Sequence, residues 1–169
     1  RNNFYKERAL SISVETKEGY TTSIIEYFNA FNCTVKFEYN GLKVYNVQYD
    51  QFKSGQIKNP YHKGNEGVGY IGEGIYDGTK FKKAYNAWSN MLTRGYNKEY
   101  KESNPTYKDV VVCDKWHCFQ NFAEWFENNY VKGCHLDKDI LSHESSKTYS
   151  PETCCFVPRE INAIMVKRD

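Results

Sequence analysis

Asn40-Gly41 sits between two stretches that alternate polar and apolar residues, Thr34-Val35-Lys36-Phe37-Glu38-Tyr39 before it and Leu42-Lys43-Val44-Tyr45-Asn46-Val47 after it. Few short patterns constrain a chain as tightly. Period-two alternation buries one face of a strand and leaves the other polar. Both residues of Asn-Gly tolerate the positive φ that a short hairpin turn demands. A hairpin over residues 34–47 is therefore the first expectation. The β-rich run 20–27, with Ile24 and Ile25 inside it, adds a further strand, so residues 20–52 read as a small antiparallel β-meander. Three strands with one apolar face need a lid or must curl closed; an SH3-like or tudor-like half barrel is predicted. Residues 1–17 show no clear period and read as an arm or a first strand.

Residues 53–79 carry Gly55, Pro60, Gly64, Gly67, Gly69, Gly72, Gly74 and Gly78 and read as a loop or linker between two modules. Gly67-x-Gly69-x-x-Gly72 matches the dinucleotide-binding pattern as text only. It follows no long buried strand and opens no immediate helix, so no nucleotide cofactor is expected. The resulting division is an N-terminal β module over 1–60, a glycine-rich linker over 61–79 and a second domain over 80–169, an α+β chain in all.

In that second domain Phe81, Tyr85, Trp88 and Leu92 recur at steps of four, three and four residues, one face of a helix over 80–96. Lys82, Lys83 and Arg94 fall off that stripe, and Gly95 reads as a C-cap. Residues 109–113 form a short apolar strand. Phe119, Phe122, Ala123 and Phe126 line one side of a helix over 119–130, with Gly133 ending it. Aromatic residues make up 17% of the chain. That lets a small core bury much area, and it also suits stacking on bases.

The net charge of +2 decides little, because phosphate binding depends on where charges cluster. No apolar stretch is long enough for a membrane span, and no charged start followed by an apolar run marks a secretory leader. Of the six cysteines, Cys154 and Cys155 are adjacent and Cys33 stands alone in the first half. They read as reduced thiols in or near the core of a cytosolic protein. A zinc site from Cys113, His117, Cys118, Cys134 and His135 is the sharper alternative, but no C-x2-C pair is present.

The last 36 residues carry the chemistry. Leu136-Asp137-Lys138-Asp139-Ile140-Leu141 reads as a strand, 142–147 as a polar loop, Tyr149 to Pro158 as a turn entering a second strand, and Arg159-Glu160-Ile161-Asn162 as the start of a helix. Upstream lie Trp88, Met91 and Arg94, then Trp116, Phe119 and Phe122. Over roughly residues 67–165 this pattern resembles the HNH endonucleases and HNH-like proteins common in bacteriophage genomes. It resembles the subset with a Leu-Asp-(Arg/Lys) signature and a following Tyr-Ser-Pro-Glu-Asn-Cys motif.

The resemblance implies a ββα-metal site. Such a site needs a general base, usually His, at the end of the first strand. It needs an Asp and a helix Asn or His to hold a divalent ion on the scissile phosphate, and a mid-loop Asn to pin the loop. Asp137 matches the metal-binding Asp. Asn162, nine residues after Thr153, matches the second metal ligand. Lys138 falls at the base histidine and Thr153 at the loop Asn. Mg2+ or Mn2+ is the implied ion.

A lysine ammonium cannot take a proton from water at neutral pH. In an open cleft flanked by Asp137 and Asp139 it suits a phosphate contact instead. His135 or His143 could supply a base from another angle.

Three functions follow as expectations. One is a double-stranded-DNA-binding protein of impaired catalysis, with Lys82, Lys83, Arg94, Lys138 and Arg159 facing phosphates. Another is an active metal-dependent nicking endonuclease built on Asp137, Lys138, Asn162 and His135. The third is a protein that binds and inhibits a host complex. In each case a phage-encoded protein in the host bacterial cytoplasm is implied.

Overall fold

The loop at Asn40-Gly41 does join two antiparallel strands, but it is wider than a two-residue turn. In the computed structural model, which describes residues 2–141 and 147–161, only Gly41 takes a positive φ there, at 72°. The N–H of Gly41 bonds the carbonyl of Phe37 at 2.9 Å, and the N–H of Phe37 bonds the carbonyl of Leu42 at 2.8 Å. Asn40 acts through its side chain, whose Oδ1 accepts from the N–H of Leu42 at 3.1 Å. Glu38 cannot join the turn because its N–H pairs with the carbonyl of Thr21.

The chain divides into two units, Arg1–His62 and Lys63–Asp169. In the first, β1 (Ser13–Glu15), β2 (Thr21–Asn29), β3 (Asn32–Phe37) and β4 (Lys43–Val47) form an antiparallel sheet in the order β1-β2-β3-β4. Helix α1 (Asn2–Leu10) precedes it and α2 (Tyr49–Lys53) follows. Residues 1–17 thus supply a helix and an edge strand. The sheet is the expected antiparallel meander, extended by β1. Among the described residues no pairing joins β4 to β1, and the apolar face is covered by helices instead: Ala9 of α1 and Phe52 of α2 join Ile24, Cys33, Val35 and Phe37 in one core.

The second unit is built on the two aromatic helices that the spacing predicts, α3 (Lys82–Tyr96) and α5 (Phe119–Asn129), which pack on each other. Trp88, Leu92, Trp116, Phe119 and Phe122 are fully enclosed, and the Trp88 indole N–H donates to the Trp116 carbonyl at 2.7 Å. Between the helices lie α4 (Lys98–Ser103) and β5 (Val111–Val112). Gly95 is not a cap. It sits inside α3, where a Cβ would lie 3.1 Å from Val112 Cγ2, so its role is to admit β5. The helix ends at Tyr96. The next residue, Asn97, turns to an extended backbone and caps α4 by accepting from the N–H of Tyr100.

The glycine-rich stretch expected as a linker belongs to this unit from Lys63 onward and straps across α3 and α5. An added Cβ would meet Leu92 at Gly69, Cys118 at Gly72 and Gln120 at Gly74, each within 2.6 Å. The strap also caps α5. Helix starts leave their first N–H groups without helical partners. Here those of Phe119 and Gln120 donate to the carbonyls of Tyr70 and Ile71, at 2.9 and 3.3 Å. The Gln120 side chain returns the clasp, accepting from the N–H of Tyr76 and donating to its carbonyl.

Past α5 come β6 (Cys134–Asp137), β7 (Thr148–Tyr149) and β8 (Cys155–Pro158). β7 runs parallel to β5, and β6 pairs antiparallel with β8. Among the described residues no helix is long and apolar enough to cross a membrane.

Candidate functional site

The pairing of β6 with β8 fixes where the chemistry-bearing residues lie. Register sets Asp137 opposite Cys155 and His135 opposite Val157, and residues 159–161 turn helical straight after β8. The order is strand, loop, strand, helix start. Asn162 and His143 lie outside the described residues.

A cavity of about 340 Å³ opens between α3 and the end of β6. Ala87, Asn90 and Arg94 line one side, at the three- and four-residue steps that share a helix face. His135 to Asp139 line the other, and Tyr107 and Tyr149 complete the wall. Of the sequence-derived candidates, the fold therefore brings together Arg94, His135, Asp137 and Lys138. Lys82, Lys83 and Arg159 are exposed and do not line the cavity. Lys83 instead lies over the Tyr130 ring, 5.5 Å from its centroid.

Arg94 is held by two rings. Its Nη1 donates to the Tyr149 hydroxyl at 3.4 Å, and its guanidinium carbon lies 5.8 Å from the centroid of Tyr107. Burial works against its charge, but the contacts with Tyr149 and Tyr107 outweigh that and hold its pKa above the ordinary arginine value. Burial pushes the Tyr149 hydroxyl up to about 12, against the opposing pull of Arg94, and raises Tyr107 as well. Both tyrosines are neutral at physiological pH.

Lys138 differs from its expected setting in an open cleft. Its side chain is only 11% exposed and is ion-paired with Asp139. The ammonium is thus enclosed and already partnered, because β6 ends at Asp137 and the chain folds sharply over the next residues. Asp137 makes that fold: its Oδ1 accepts from the N–H groups of Asp139 and Ile140 at 2.8 and 2.9 Å. The side chain matched to a metal ligand is therefore also a turn cap. His135 is exposed and lies two residues before Asp137 on the same strand. Strand alternation sets the two on one face.

Thr153 ties the loop between β7 and β8 through its hydroxyl. Its Oγ1 donates to the carbonyl of Thr148 at 2.6 Å and accepts from the N–H of Ser150 at 3.0 Å. That closes the turn over Ser150-Pro151 and fixes Tyr149 beside Arg94.

Among the described residues no three His, Cys, Asp or Glu side chains converge to hold a metal ion. One oxygen of Asp137 is committed to the turn, and Asn162, the other residue matched to a metal ligand, lies outside the described residues. The cysteines and the two histidines weighed for zinc likewise form no such group among the described residues. All six thiols are free, and His117 Nε2 bonds the Tyr96 hydroxyl at 2.7 Å.

Sequence reasoning missed Tyr107 and Tyr149 as cavity residues. Tyr149 had a signal, since it opens the Tyr-Ser-Pro-Glu motif; nothing in the spacing marks Tyr107. Comparison of the chain with protein-family models, with curated proteins and with solved structures found no match.

Proposed function

We propose that this protein binds double-stranded DNA through its phosphates on an HNH-like ββα scaffold and does not cut it. The observation that carries this reading is the residue at the end of β6. Where an HNH site needs a general base, Lys138 presents an ammonium enclosed by the fold and ion-paired with Asp139. A group in that state neither accepts a proton from water nor turns toward a nucleophile. The other cation of the cavity, Arg94, is well suited to a phosphate, because a planar guanidinium meets phosphate oxygens in pairs. The exposed Lys82, Lys83 and Arg159 add charge outside the cavity.

An active nicking endonuclease is the second reading, favoured by one observation: His135 and Asp137 line the same cavity. A supercoiled plasmid incubated with Mg2+ or Mn2+ separates the two. It stays supercoiled under the binding reading. Nicking that vanishes in Asp137→Ala and in His135→Ala would establish the enzyme. Gel shifts across a salt series test the binding itself, since a phosphate-bound complex weakens steeply as salt rises. Absence of any shift would favour a host-protein target instead.

A further inference from the structure

The cavity beside Arg94 is a recess in the protein surface, and a recess is selective about what can enter it. Its volume of about 340 Å³ falls at the low end of small-ligand pockets, about 300–1,000 Å³. That is room for one nucleotide-sized group. A DNA duplex, by contrast, offers a convex surface and buries about 1,000 Å² or more of protein in a specific complex.

The lining sets two cations, Arg94 and Lys138, against two carboxylates, Asp137 and Asp139, and these differ in what holds them. Asp139 is spent on Lys138, and Asp137 caps the turn after β6. Among the described residues no carboxylate is ion-paired with Arg94. One of its five N–H donors goes to Tyr149, whose residue is 2% exposed. The rest of the fork is held against Tyr107 in a wall that also carries the amide of Asn90. A neutral aromatic clamp around a cation leaves that cation's charge for a ligand.

Within a continuous strand each phosphate is flanked by sugars on both sides and carries a single negative charge. A terminal phosphate is flanked on one side only and carries about −1.5 to −2 at neutral pH. Only the terminal group can be inserted end-on into a cavity of this size, and it makes the stronger partner for a guanidinium. We propose that the Arg94 cavity receives the terminal phosphate of a DNA strand, so that the protein prefers phosphorylated nicks and ends over uninterrupted duplex. The proposal rests on the DNA-binding reading above and specifies which part of the DNA occupies the site.

Fluorescence anisotropy on duplexes of one sequence tests it at a fixed salt concentration. The set is a continuous duplex, a nicked duplex with a 5′-hydroxyl, the same with a 5′-phosphate, and the same with a 3′-phosphate. One of the phosphorylated nicks is expected to bind about tenfold more tightly than the hydroxyl nick, the change that one charge-assisted hydrogen bond supplies. Arg94→Gln should bring that ratio to about one. Because Arg94 is partly buried, Asn90→Asp is the companion variant. It sits on an exposed helix position in the cavity wall, sets a carboxylate against the phosphate, and should also abolish the preference. Equal binding of all four duplexes overturns the terminal-phosphate assignment and leaves DNA binding standing. So does a preference that survives both variants. Binding to none of the four overturns both readings.

Discussion

Arg94 Nη1 donates to the Tyr149 hydroxyl over 3.4 Å, joining α3 to β7 across 55 residues of sequence. The bond is long, so its strength lies at the weak end of the usual range of about 0.5–1.5 kcal/mol. Tyr149→Phe keeps the ring and removes only the acceptor. It should lower stability by about 0.5 kcal/mol, and Arg94→Gln should cost less in that background than in the wild type. Urea denaturation of the four members of the cycle measures the coupling. Strict additivity would mean that the two side chains merely sit near each other.

Thr153 is the sharpest test of the loop. Thr153→Val keeps the shape and deletes a hydroxyl that donates to the carbonyl of Thr148 and accepts from the N–H of Ser150. Loss of that donor–acceptor bridge should cost about 1–3 kcal/mol. The loss should also be visible locally, as faster amide exchange at Val111 and Cys113, whose N–H groups bond Lys147 and Tyr149. Unchanged exchange there would show that β7 is held in place by something other than Thr153.

The strap makes a paired prediction. Gly72 and Gly67 both have φ above 70°, so alanine at either position pays the left-handed penalty of about 1–2 kcal/mol. They differ in surroundings: a Cβ at Gly72 would lie 2.6 Å from Cys118 Sγ, and one at Gly67 meets nothing within 4 Å. Gly72→Ala should therefore be the worse by about 1–3 kcal/mol of overpacking. Thermal melts of the two variants compare them within one unit, and equal losses would mean the strap is not seated on α5.

Alkaline pH probes the core from inside. Burial lifts Cys154 from 9.0 to about 12 and Tyr149 from 10.0 to about 12. Both groups hold their proton more tightly folded than unfolded. The stability they contribute is complete below about pH 9 and is lost as pH climbs toward 12. The melting temperature should fall through that window, and less steeply in Cys154→Ala, where one of the two raised groups is gone. Circular dichroism melts across the range provide the measurement; identical slopes for both proteins would remove Cys154 as a contributor.

What could be read in advance was whatever carries a hydrophobic period. Trp88 and Leu92 announce α3, Phe119 and Phe122 announce α5, and the alternation around Val35 and Val44 announces the hairpin, because burial of one face is written into spacing. Helix α1 has no such stripe: of its described side chains only Ala9 is enclosed. The strap was opaque for a related reason. Its backbone packs against the side chains of Leu92, Cys118 and Gln120, and glycines chosen to let neighbours in look the same in a sequence as glycines chosen for freedom. At the site, Arg94, His135, Asp137 and Lys138 were legible from motif positions. The enclosure of Lys138, the turn-capping role of Asp137 and the two tyrosines around Arg94 come from tertiary packing, on which single-sequence patterns are silent.

The clasp between Gln120 and the strap spans 44 residues to Tyr76 and 49 to Ile71. The first turn of α5 is thus completed by chain made long before it, and the helix start is satisfied only once that loop has closed. Closure of a loop of this length is an entropic barrier, and it makes the assembly of a helical unit depend on a non-local event. The rate at which this unit folds should therefore follow the docking of the strap rather than the speed at which its helices wind.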